Sequence, residues 1–257
     1  MRVQWLAFLA VALVALVVGC GAVPHPPSTP PQSAAAHNPG TGLPAPGAAT
    51  SDGGEVPGGS VDRADARAGL AGLAIKGRAP TTGYARDQFG PPWSDNVDVA
   101  MGHNGCDTRN DILRRDLTAV VLKPRTRNCV VASGTLVDPY TATTIAFQRG
   151  SATSSRVQID HVVPLADAWQ TGAPQLTPDR RGDFANDPRN LQATDGATNE
   201  QKSDGDAATW LPPNKSYRCT YVARQVAVKQ AYGLWVTQAE HDAMERVLQS
   251  CGASPSR

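Results

Sequence analysis

Residues 157–169 read VQIDHVVPLADAW, and residues 184–204 read FANDPRNLQATDGATNEQKSD. Val157–Asp160 is a short β segment, and Pro164 ends it because proline brings no N–H to a ladder. Leu165–Thr171 then has a helical composition. Asn190-Leu191 is a second β piece, after an Asp187-Pro188 step that invites a turn. Asp195 can cap a short helix over Ala197–Lys202, which Gly205 can stop. Strand, second strand and short helix thus follow one another within one stretch of chain.

The chemistry-bearing residues of that stretch are Asp160-His161, Asn190 and the pair Asn199-x-x-Lys202. Singly, each has a plain structural reading: a satisfied histidine at a strand end, a turn asparagine, a solvated helix face. Together they offer a base and a ligand set. His161 has an ordinary pKa that leaves it neutral and basic near pH 7. Asp160 and Asn199 supply hard oxygens, which suit Mg²⁺ or Mn²⁺ better than a structural zinc. Successive strand residues point to opposite faces, so Asp160 and His161 can meet one site only where the strand ends. Asn199 and Lys202 are three apart and share a helix face. From there Lys202 could contact phosphate or brace the Asp160 carboxylate.

In this order the pieces resemble the HNH, or ββα-metal, nuclease motif, in which a β-hairpin and a short helix clamp one divalent ion. The words CDTRNDILRRDL, IDHVVPLADAW, FANDPRNL, NEQKSD and WLPP are similar to an exported HNH family. That family is related to the C-terminal nuclease domain of GmrSD-type restriction systems. The resemblance runs from about Tyr84 to Cys251. It implies a metal-dependent endonuclease that hydrolyses phosphodiester bonds of DNA, or of RNA. His161 would activate water, Asp160 and Asn199 would hold the ion, and Asn190 would tie the hairpin together and orient His161. The last motif position is Asn199 where the commonest pattern has histidine. The long gap between the β pieces requires an inserted helical excursion.

Further out, composition sets bounds. Lys plus Arg is 24 and Asp plus Glu 23, a balance that excludes binding by bulk positive charge. A local basic wall is still open. Arg109, Arg114, Arg115, Lys123, Arg125 and Arg127 cluster, with Asp111 and Asp116 among them; Arg109, Arg114 and Arg115 are the candidate phosphate contacts. The plain alternative is a solvated face with internal ion pairs. Neither a GxSxG elbow nor an HExxH helix is present, which disfavours other hydrolases.

At the N-terminus, Arg2 precedes an unbroken apolar run from Trp5 to Val18, the pattern of a signal peptide. The run ends Val17-Val18-Gly19-Cys20, similar to a lipobox, so Cys20 is the candidate lipidation site. An ordinary secretory signal is the alternative. Residues 20–61 are rich in Pro, Gly and Ala and read as a disordered tether; its His25 and His37 have no expected role. Cys106, Cys129, Cys219 and Cys251 remain, an even number that suggests two disulfides. Three pairings are possible; the sequence-local one, Cys106–Cys129 with Cys219–Cys251, is preferred.

Residues 62–257 are then one α+β domain with a ββα-metal core, small β-sheets and flanking helices. Helices are expected over Asp62–Leu73, Asp107–Leu117, Tyr217–Tyr232 and Thr237–Gln249, and short strands over Ala119–Leu122, Cys129–Ala132 and Thr144–Phe147. The expected partners are nucleic acid, DNA ahead of RNA, and a membrane through a lipid anchor only, the protein itself being a monomer. The place is outside the cytoplasm, as a cell-surface lipoprotein or a secreted protein. The competing reading is a non-catalytic surface lipoprotein that uses the same scaffold for binding.

Overall fold

The computed structural model describes residues 63–251. The expected leader, Cys20, the tether with His25 and His37, and the last residues lie outside the described residues. Among the described residues no helix is long and apolar enough to cross a membrane.

In chain order the elements are α1 Arg63–Gly72, α2 Thr108–Asp116, β1 Thr118–Leu122, β2 Val131–Val137, β3 Thr144–Gln148, β4 Val157–His161, α3 Leu165–Gln170, α4 Pro178–Asn186, β5 Leu191–Asp195, α5 Gly196–Lys202, α6 Arg218–Ala231 and α7 Gln238–Ser250. This is the expected α+β class. One antiparallel sheet has the order β1-β2-β3 and the other is the pair β4-β5. The inserted excursion between β4 and β5 consists of α3 and α4. Both disulfides take the sequence-local pairing, Cys106–Cys129 and Cys219–Cys251.

Two elements differ from the sequence expectation. β2 starts at Val131 rather than Cys129 and continues to Val137. Cys129 is held by its disulfide, and the Val131 N–H goes to Asn110 Oδ1 at 2.9 Å. Gly134 masks the strand in sequence, since glycine weakens a strand reading. It is required here because a Cβ would come within 2.8 Å of the Leu117 side chain that packs on the sheet. The second is α4, part of the inserted excursion that the sequence implies without bounds. Its signals are local: Thr177 accepts a hydrogen bond from Arg180 N, and Pro178 stands in the first turn, where its missing N–H is harmless.

Three apolar clusters hold the domain. Leu70, Tyr221, Val226 and Met244 join α1, α6 and α7. Ile112, Leu113, Leu136, Phe147, Ile159 and Leu191 bind α2 to both sheets. Phe89, Leu165, Trp169, Phe184 and Tyr232 pack α3 and α4 against the end of α6.

The hairpin β4-β5 is buried, so the backbone groups on its outer edge need partners. Side chains provide them. Leu191 O accepts from Arg115 Nη2 at 2.6 Å and from Arg224 Nη2 at 3.0 Å. Ala193 N donates to Asp116 Oδ2 at 2.7 Å, and Asp195 N to Asp138 Oδ1 at 3.1 Å. Helix α2 thus closes the sheet edge from one side and α6 from the other.

Candidate functional site

The site is built on the β4-β5 hairpin, registered from Val157 opposite Asp195 to His161 opposite Leu191. Asp195 ends β5 and caps α5, its Oδ2 accepting from Thr198 N at 2.8 Å and Thr198 Oγ1 at 2.7 Å. Gly196 allows the sharp return, because a Cβ there would lie 2.0 Å from Ser155 O. Helix α5 therefore folds back over the hairpin, with Asn199 above Gln158 and Lys202 above Asp160.

Asp160 is 5% exposed and fully partnered on one side. Lys202 Nζ donates to its Oδ1 at 2.9 Å and to the His161 carbonyl at 2.8 Å. The Tyr140 hydroxyl donates to Oδ2. Burial and the Asp160 charge hold the Tyr140 pKa well above its ordinary value, so this hydroxyl stays a donor. Each carboxylate oxygen keeps a further lone pair, since an ionised carboxylate offers about four acceptor sites.

His161 is the last residue of its strand and is half-buried. Its Nε2 lies 2.9 Å from Ala185 O. A carbonyl only accepts, so Nε2 carries the proton and Nδ1 carries the lone pair. Exclusion of water from the ring pushes the pKa down to about 4, against the opposing pull of the Ala185 hydrogen bond and of Asp160; Arg86 and Lys202 lower it further. The imidazole is therefore neutral through physiological pH, with its basic nitrogen specified.

Asn190 is fully buried. Its Oδ1 accepts from Val163 N at 2.8 Å, and its Nδ2 donates to Val163 O and Phe184 O at 3.3 and 3.4 Å. It ties the segment after β4 to the end of α4, next to the carbonyl that holds His161. Asn199 is oriented by a relay of amides. Gln158 Nε2 donates to Glu200 Oε1 at 3.0 Å, which turns Gln158 Oε1 toward Asn199 Nδ2 at 2.8 Å. Among the described residues Asn199 Oδ1 has no hydrogen-bond partner.

Asp160, His161 and Asn199 line one cavity of about 200 Å³, together with Tyr84, Arg86 and Asp204. Neighbouring strand residues reach the same space because β4 stops at His161. Lys202 and Asn190 do not line this cavity; Lys202 contacts Asp160 and the His161 carbonyl, and Asn190 contacts the Val163 backbone. Asp160 and Asn199 both line this cavity and could supply oxygen donors there, with room for water or phosphate, a chemistry that suits a hard divalent ion.

Arg109, Arg114 and Arg115 of the basic cluster each make contacts within the fold. Arg109 Nη2 donates to Val157 O at 3.2 Å, and Arg114 to Asn128 O. Arg115 pairs with Asp116 at 2.6 Å and donates to Pro188 O at 2.7 Å besides Leu191 O. These guanidinium groups are bound to backbone and carboxylate, the internal role that the sequence kept open. Arg86 differs: it is exposed at the cavity, and among the described residues it makes no hydrogen bond or ion pair. Arg86, Tyr140 and Gln158 were missed by sequence reasoning, because only the fold brings them to the motif.

Among the described residues two other clusters of acidic groups occur: His241 with Asp242 and Glu245, and Asp167 with Asp206 and Glu240. The second is already filled by cations. Lys229 Nζ is 2.9 Å from both Asp167 and Glu240, and Arg78 pairs with Asp167 and Asp206 at 3.1 and 2.7 Å.

A two-stranded hairpin followed by a crossing short helix, with Asp-His at the strand end and Asn on the helix, defines a protein of the ββα nuclease type. Residues 107–247 match the family of GmrSD restriction endonucleases, C-terminal domain, and the chain belongs to that family. It is also 38% identical, over 185 residues, to a protein of Arthroderma benhamiae described as an uncharacterized secreted protein, covering 71% of this chain and 82% of that one. No solved structure matches.

Proposed function

We propose that the protein is an exported, metal-dependent endonuclease that hydrolyses phosphodiester bonds of nucleic acid, DNA ahead of RNA. The observation that supports this reading is the meeting of Asp160, a neutral His161 and Asn199 in one cavity. Asp160 and Asn199 would hold Mg²⁺ or Mn²⁺. When bound, such an ion stabilises charge on the scissile phosphate and on the leaving oxygen. His161 Nδ1 takes a proton from water as the water oxygen bonds to phosphorus. The phosphorus–3′-oxygen bond breaks, the 3′ oxygen takes a proton from solvent water and leaves as a hydroxyl, and the other product carries a 5′ phosphate. The His161 Nε2–H bond to Ala185 O keeps the basic nitrogen from swapping roles. Lys202 and Tyr140 hold the Asp160 carboxylate in place, and Asn190 holds the loop that carries its neighbour.

Export is supported by the two disulfides and by the similarity to a fungal protein described as secreted. The anchor would be lipid on Cys20, with the domain acting as a monomer. The deciding experiment is digestion of plasmid DNA and of RNA by the purified protein, with and without EDTA. Cleavage that EDTA abolishes and Mg²⁺ or Mn²⁺ restores is expected. Nucleic acid left intact under every metal condition would leave the non-catalytic binding scaffold in its place.

A further inference from the structure

A second cavity, of about 520 Å³, adjoins the first. Arg86, His161 and Leu165 line both. The walls of the second are mostly apolar and include Phe89, Pro91, Pro92 and Trp93. The Trp93 ring lies within 15° of parallel to His161, with centroids 6.3 Å apart. Its backbone has φ 58°, a region unfavourable for a bulky side chain. Such strain persists where the surrounding structure enforces it, often at a binding site. Here the enforcement is visible: Thr108 N and Oγ1 donate to Trp93 O and Ser94 O at 3.2 and 2.8 Å, and Phe89 is buried against Trp169 and Phe184.

The polar cavity suits a phosphate, and the apolar one beside it suits the flat group that a phosphodiester carries. A duplex base is stacked and paired and cannot enter such a pocket, whereas an unpaired base can. An aromatic face with an unpaired arginine at its border is the usual platform for single-stranded nucleic acid. We propose that this second cavity is a nucleobase subsite. The base next to the scissile phosphate stacks on Trp93, Arg86 holds the phosphate between the two cavities, and the protein prefers single-stranded substrate to duplex. This rests on the nuclease reading above. Stacking accepts any base, so sequence preference is weak.

The test compares matched single-stranded and duplex oligonucleotides. Cleavage is measured with Mg²⁺ present, and binding by fluorescence anisotropy in EDTA. Wild-type protein should cleave the single strand faster. Trp93→Ala should weaken single-strand binding about 5- to 150-fold and raise KM more than it lowers kcat. Trp93→Phe should recover most of the loss, and Arg86→Ala should flatten the salt dependence of binding. The strand preference of wild-type protein needs no variant, so an unfolded mutant leaves the test intact. Equal cleavage of the two forms, or Trp93→Ala binding at wild-type strength, overturns the subsite. Trp93-dependent binding with no cleavage of any substrate would overturn the nuclease reading and keep the subsite.

Discussion

At the residue scale, the proposed roles separate a base, His161, from the ligands Asp160 and Asn199. His161→Ala should lower the rate about 10²–10⁴-fold while the metal titration midpoint stays in place. Asp160→Ala and Asn199→Ala should shift that midpoint to higher Mg²⁺ or Mn²⁺, with activity partly recovered there. Wild-type activity in His161→Ala would remove the assigned base. Tyr140→Phe probes the ligand's support. The ring keeps its packing on Trp210 and Tyr221, but Asp160 loses a donor. The variant should lose about 1.5–3 kcal/mol of stability and need more metal for half-maximal rate; an unchanged titration would show that Lys202 alone fixes the carboxylate. That Asp160, His161 and Asn199 come together at one cavity was legible, because their types and order are chemically specific. Tyr140 in the sequence DPYT was not, because a lone tyrosine carries no signal until β4 is packed beside it. Arg115 shows the opposite failure: its charge was legible, but not the backbone carbonyls that occupy it.

At the element scale, the sheet edge and the α3-α6-α7 junction carry the testable energetics. Asp116→Ala leaves Ala193 N buried without its acceptor and should cost about 1–3 kcal/mol, measured by denaturant unfolding. No loss would mean that the edge is satisfied by water. At the junction, Glu240 on α7 meets Lys229 from α6, Asp167 from α3, and Asp206, with Arg78 closing the far side. Burial pushes the Glu240 pKa up from 4.5 to about 7, with Asp167 and Asp206 adding to the rise and Lys229 opposing it. The folded state then binds a proton more tightly than the unfolded state. This contribution is whole below pH 4.5 and is lost as pH rises through about 7. Tm should fall across that window, and Glu240→Gln should flatten the fall; an equal slope in the variant would place the titration elsewhere. Helix α7 carries a legible cap at Thr237, whereas β2 was cut short by Gly134, where a Cβ would crowd Leu117.

At the scale of the whole molecule, the disulfides are what a small exported domain adds to three modest apolar clusters. Cys106–Cys129 secures the loop ahead of α2 to the start of β2, and Cys219–Cys251 joins α6 to the end of α7. Their sequence separations are 23 and 32 residues. Closing such loops in the unfolded chain should contribute about 3–4 kcal/mol each in the chain-entropy account. The two bridges act on different parts of the fold. Cys219–Cys251 lies in the α1-α6-α7 cluster, away from the cavity, so Cys219→Ala with Cys251→Ala should lower stability while leaving the rate of the folded protein near wild type. Cys106→Ala with Cys129→Ala frees the segment that holds Trp93 through Thr108, so it should lower stability and also raise KM for single strands. Denatured, unreduced protein should show no reactive thiol, since lipid on Cys20 would block that sulfur as well, and Cys20→Ser should abolish membrane partitioning without touching hydrolysis. Four reactive thiols in freshly exported protein would show that neither bridge forms there. The stability of the domain would then rest on its apolar clusters and on the side chains that close the hairpin edge.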